Sequence, residues 1–218
     1  MIPMKRLLIP IMILCILISG CLGNDAETET FEGELTDLIV PLDDLPWGYV
    51  IKTHYGGETK VIGTLDELAV DDDGVLHISY EDSINDGQSV RSTSVSLGIG
   101  RYGLDSVEEK LVEGVKLIED NFMEVMEATE AGTIDGWENG GVETVEHEAI
   151  GDRSYVLKVT KCYDHIGPNP EDYAECDTSY YIVFMKKDVL VGFTLDNRDS
   201  RLDLDDFISL ARDVAGRI

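Results

Sequence analysis

Apolar residues along this chain fall at two spacings, and the change between them divides the sequence into strands and helices. After a turn punctuated by Pro46 and Gly48, residues Tyr49 to Tyr55 alternate between apolar and polar, as a half-buried strand does. Asp71-Asp72-Asp73-Gly74 marks a second turn, followed by Val75, Leu76, Ile78 and Tyr80 in another strand. Asn85-Asp86-Gly87 has the composition of a hairpin turn and leads into a strand from Val90 to Ile99. In that strand Val95, Leu97 and Ile99 alternate with Ser94, Ser96 and Gly98, so its second face carries only small residues.

The spacing then changes to threes and fours. Leu111, Val115, Ile118, Phe122, Val125 and Thr129 share one face of a helix ending near Gly132. Ser106 and Glu109 have the spacing of a capping box that would open it. Met123 and Met126 in the same segment read as core filler. After the glycines at 140 and 141, Val156 and Val159, then Tyr180, Ile182 and Phe184, then Val189 to Leu195 read as an antiparallel meander. Lys186-Lys187-Asp188 turns its last pair, and a final helix starts near Asp203 with Phe207, Ile208, Ala211, Val214 and Ala215 on one face. Strands segregated from helices predict an α+β fold, a mostly antiparallel sheet packed by a long central helix and a C-terminal helix.

Ahead of this domain lies a different pattern. Lys5-Arg6 precedes an uncharged, almost wholly apolar run from Leu7 to Ile18, and Ser19-Gly20-Cys21 closes it. The segment resembles the lipobox of prokaryotic lipoproteins, archaeal ones in particular. The resemblance implies cleavage before Cys21 and a diacylglyceryl-type lipid on its thiol. An uncleaved signal anchor is the alternative. The expected organisation is a signal peptide over 1–20, a lipidated cysteine and acidic tether over 21–35, and one extracytoplasmic domain over 36–218. The location expected is the outer side of the cell membrane.

Charge sharpens that picture. The chain carries 17 basic and 44 acidic residues, a net −27, and loss of Lys5 and Arg6 with the leader leaves −29. Such a surface repels nucleic acid, which excludes that class of partner, and speaks to solubility and association rather than fold. Of the 4 cysteines, Cys15 lies in the leader and Cys21 takes the lipid, so Cys162 and Cys176 remain as a pair. In an oxidising compartment an even pair points to a disulfide. A metal site is the rival, since Cys162-x-x-His165 has ligand-like spacing and Asp164 or Asp177 could join Cys176.

Signatures of chemistry are sparse. The sequence has no G-x-S-x-G elbow and no P-loop, and His54, His77, His147 and His165 never fall at i and i+4. Asp71 to Asp73 lack the alternate spacing of an EF-hand loop, while Asp196, Asp199, Asp203, Asp205 and Asp206 crowd the start of the last helix. Calcium could bridge them, although acids at a helix N-terminus are ordinary dipole partners. No cofactor is expected. The connection from Tyr163 to Glu175, with Pro168 and Pro170 and clipped by the cysteines, is the candidate contact surface, presenting Tyr163, His165 and Tyr173.

Several short motifs together resemble the PsbP-type and LpqN-type domains of exported proteins. They are Leu45-Pro46-Trp47-Gly48, the central amphipathic helix, Gly151-Asp152 before the Ser154 strand, Phe184-Met185-Lys186, and Leu210-Ala211-Arg212. That resemblance implies a small α/β/α sandwich acting as an accessory or binding module. The functional expectation is a noncatalytic tethered module that docks another envelope protein through the loop from Tyr163. The alternative is a binder of a small ligand or of a divalent cation such as calcium, and a hydrolase ranks behind both.

Overall fold

The computed structural model describes residues 29–46, 49–55, 58–61, 74–85, 90–130, 139–163, 175–197 and 202–218. Eight strands form one sheet in the order β2-β1-β3-β4-β8-β7-β6-β5, every neighbouring pair antiparallel. They are β1 Val50–Tyr55, β2 Glu58–Val61, β3 Val75–Asn85, β4 Val90–Arg101, β5 Asn139–Thr144, β6 Arg153–Tyr163, β7 Glu175–Lys186 and β8 Val189–Asn197. Helix α1, Leu104–Glu130, follows β4, and α2, Leu204–Arg217, closes the chain. The fold is α+β, as the segregated spacing predicts.

The alternation of side chains gives the sheet two unlike faces. On the first, register aligns Val156, Ile182, Phe193, Leu97 and Ile78 across five strands. Phe207, Ala211 and Val214 of α2 seal this face, and Phe207 meets Phe193 edge-on at 5.9 Å. Leu38, Ile39 and Val40 complete that core. Phe31 joins it as well, its N–H donating to the buried Asp188 carboxylate at 2.7 Å. The domain therefore begins at least five residues before the expected boundary at 36, because one aromatic ring and one buried carboxylate suffice to dock an otherwise polar segment.

Helix α1 covers only part of the second face. Val107, Leu111 and Phe122 are buried there, while Val115, Ile118, Val125 and Thr129 of the expected stripe are only half-buried. The helix begins at Leu104, three residues before the capping box allows, and the Ser106 hydroxyl donates to the Gly103 carbonyl at 3.0 Å from within the first turn. Strands β2 and β5 are not predicted by alternation. Both are edge strands of polar sequence, and the glycines at 140 and 141 lie within β5. A Cβ at Gly140 would stand 2.3 Å from the Thr160 carbonyl and 3.2 Å from the Phe122 ring, so glycine lets β5 close under α1.

Candidate functional site

The uncovered part of the second face forms a cleft of about 620 Å³ between α1 and strands β3, β4 and β8. Register places the floor in rows that run from β8 across β4 to β3. Leu190, Gly100 and Val75 form the first row, Gly192, Gly98 and His77 the second, and Thr194, Ser96 and Ser79 the third. The next row is Asp196, Ser94 and Glu81. Polarity thus rises along the cleft floor, from apolar side chains through the glycine row to the hydroxyls of Thr194, Ser96 and Ser79, where the lining ends.

Each part of the cleft follows from local sequence. A Cβ at Gly192 would meet nothing within 4 Å, so the middle of the floor is open space. The His77 imidazole lies over Gly98, 3.5 Å from where a Cβ would stand, and the Tyr102 ring lies closer still over Gly100. Gly114, Leu117 and Ile118 of α1 form one wall, and Leu117 keeps 60% of its surface exposed. Val183 and Tyr181 of β7 form the rest, with Val183 within contact of the Gly114 position at 3.6 Å. Burial raises the Tyr181 phenol pKa above its ordinary value, and the Asp196 charge adds to the shift. Asp196 accepts a hydrogen bond from the Ser179 hydroxyl at 3.3 Å.

A depression of about 690 Å³ lies beside the entry of the chain, lined by Glu29, Glu32, Lys187 and Ile218. It is a mostly polar surface hollow with only Phe31 and Ile218 as apolar lining, so size alone does not make it the better site.

One serine–histidine pair was not singled out from sequence. The Nδ1–H of His147 faces the Val145 carbonyl at 3.0 Å, and this leaves Nε2 to accept from the Ser154 hydroxyl at 2.8 Å. The same Ser154 oxygen accepts the Ile150 N–H at 3.0 Å. With its proton donated and its oxygen accepting inside one connection, Ser154 acts as a staple between β5 and β6.

Cys162 and Cys176 are disulfide-bonded and stand opposite each other in the β6–β7 ladder, which continues to Tyr163 and Glu175. The strands therefore stay paired at the clip, and the bond takes both thiols from the rival metal site. Cys21, His165 and Tyr173 lie outside the described residues, as do Trp47, Asp71 to Asp73 and Asp199. Tyr163 ends β6 and its side chain is not described. Asp203 caps α2, accepting the Asp206 N–H at 2.8 Å. Among the described residues no group of three or more His, Cys, Asp or Glu is placed to hold a metal, and no helix is long and apolar enough to cross a membrane.

Compared with known proteins, the sequence matches no family model and no curated protein, and the fold matches no solved structure.

Proposed function

We propose that the chain is a noncatalytic binding module, tethered outside the cell membrane through a lipid on Cys21, that takes an apolar ligand in the cleft beside α1. The observation that carries this reading is the cleft itself. Its floor offers exposed backbone at Gly192 and its walls are apolar. Its volume falls within the range of roughly 300–1,000 Å³ usual for small-molecule sites. A few polar groups at one end supply orientation, as such sites require. Docking of an envelope protein through the connection from Tyr163 to Glu175 is a second reading. The disulfide supports it by fixing the two ends of that connection.

The test uses the full chain in membranes with a photoactivatable long-chain alkanol as probe. The label should fall on peptides from β4 and β8. Gly192→Leu places a side chain in open space and should lower that labelling severalfold, with circular dichroism and melting temperature unchanged. Equal labelling of the variant, or none on β4 and β8 in the wild type, would remove the cleft from consideration.

A further inference from the structure

Resting on the cleft reading above, we propose that the ligand is a slender amphiphile with an uncharged, hydrogen-bonding head, seated on the hydroxyls of Ser79, Ser96 and Thr194. Ser79 carries this furthest. It lines the cleft with only 5% of its surface exposed. Among the described residues its hydroxyl reaches just one partner, the Ser96 hydroxyl at 3.5 Å. Hydroxyl pairs bond best at about 2.7–2.8 Å, so this contact leaves both oxygens short of a full partner. An under-bonded buried hydroxyl is unfavourable, and a polar ligand group beside the pair relieves it. Register extends the pair into a row. Thr194 of β8 lies beside Ser96, and Tyr181 of β7 lies beside Thr194. Each hydroxyl can both donate and accept. Burial raises the Tyr181 pKa, so its phenol keeps its proton and joins the row as a neutral group.

The neutrality of the head follows from the lining. Although 28% of the chain is charged, no Asp, Glu, Lys or Arg lines the cleft among the described residues. An ionised head on the hydroxyl row would give up hydration and meet hydroxyls rather than a counter-ion. Asp196 and Glu81 stand one row further on, outside the lining.

The shape of the body follows from where the floor is open. His77 lies over Gly98 and Tyr102 over Gly100, whereas a Cβ at Gly192 would meet nothing within 4 Å. The open lane therefore follows β8 from Leu190 through Gly192 to Thr194, with Val183 of β7 beside Gly192. Along that lane the strand advances about 13 Å, and the neighbouring strands lie only about 5 Å to either side. An α-helix with its side chains is about 10–12 Å across, too broad for such a lane. A single chain fits, apolar at Leu190 and polar at Thr194.

The experiment uses the full chain in membranes and four photoactivatable probes of equal chain length: an alkane, an alkanol, an alkanoate and an alkyltrimethylammonium. With the photoreactive group beside its head, the alkanol should mark Thr194, Ser96 and Ser79. With that group at the tail tip, it should mark Leu190 and Val75. Corrected for partition into the membrane, alkanol labelling should exceed alkane labelling severalfold, the gain expected of one or two hydrogen bonds. It should exceed labelling by either ionised probe about tenfold or more, since their heads lose hydration on the row. Ser79→Ala and Thr194→Val should each bring the alkanol signal down to that of the alkane on the same variant. Thr194 is half-buried, so Thr194→Val decides the matter if circular dichroism shows that Ser79→Ala is misfolded. Equal alkanol and alkane signals, or a stronger signal from an ionised probe, would overturn the uncharged head and leave the cleft standing. Absence of labelling by all four would overturn both readings. Protection of the cleft by a second copy of the chain or by a bound protein would overturn the amphiphile as occupant.

Discussion

Tyr80 shows at the scale of one residue how the core and the outer segments hold each other. Its ring lies fully buried on the α2 face, and its hydroxyl donates to the Val40 carbonyl at 2.8 Å. Tyr80→Phe leaves that carbonyl without its partner, at a cost of about 1–3 kcal/mol in unfolding free energy at neutral pH. Burial also raises the phenol pKa above its ordinary value of 10.0, outweighing the Val40 bond and the Arg217 charge that lower it. A raised pKa means the folded state retains a proton that the unfolded chain gives up. The contribution is therefore complete below pH 10 and declines as pH rises toward the folded value, by about 1.4 kcal/mol per pH unit. Urea midpoints measured at pH 7 and above pH 10 should fall less steeply for Tyr80→Phe than for the wild type. Parallel slopes would show that another group governs alkaline unfolding.

Elements differ in how clearly the sequence announces them. Strands β3, β4 and β8 place an apolar residue at every second position because one side faces the α2 core, while β7, apolar from Tyr180 to Met185, meets packing on both faces. Strands β2 and β5 face no such demand at the sheet edges, and their polar sequences carry no alternation to read. The cleft was half visible: Ser94, Ser96 and Gly98 already reveal a small-residue face on β4. What composition could not reveal is the strand order that sets Gly192 and Thr194 on one side of that face and His77 and Ser79 on the other. The start of α2 near Asp203 is legible to within a residue, since an acid before an amphipathic run is a local signal. The disulfide also belongs to this scale. It joins β6 to β7 one residue pair before the ladder ends, with 14 residues of sequence separation. Replacing both Cys162 and Cys176 by Ser should lower stability by about 3 kcal/mol in the chain-entropy model, read as a fall in melting temperature. A fall of only a few tenths of a kcal/mol would mean that the β6–β7 ladder holds that end unaided.

For the whole molecule, asymmetry between the two sheet faces links anchoring to the cleft. The α2 face is closed by Leu38 to Val40 and by Phe31, and the chain enters the domain there against Asp188 at the β7–β8 turn. Tyr102, which walls the apolar end of the cleft, donates its N–H to the Asp188 carbonyl at 2.8 Å. The entry of the chain and the apolar mouth of the cleft thus share one end of the sheet. Fully extended, the backbone from Cys21 to Glu29 reaches about 30 Å. A lipid on Cys21 would consequently hold the apolar mouth toward the bilayer, while a net charge of −29, the value once a leader is removed, would keep the domain off anionic headgroups. Two acyl chains are needed for such a hold, because a single chain binds a membrane only marginally. Intact-mass analysis of the protein from its native membrane should therefore give a chain starting at Cys21 with a diacylglyceryl-type addition. Cys21→Ser should accumulate as the full-length precursor, since cleavage at a lipobox depends on the modified thiol. A wild-type mass corresponding to all 218 residues without lipid would make the leader itself the anchor, with the connection to the domain still starting near Cys21.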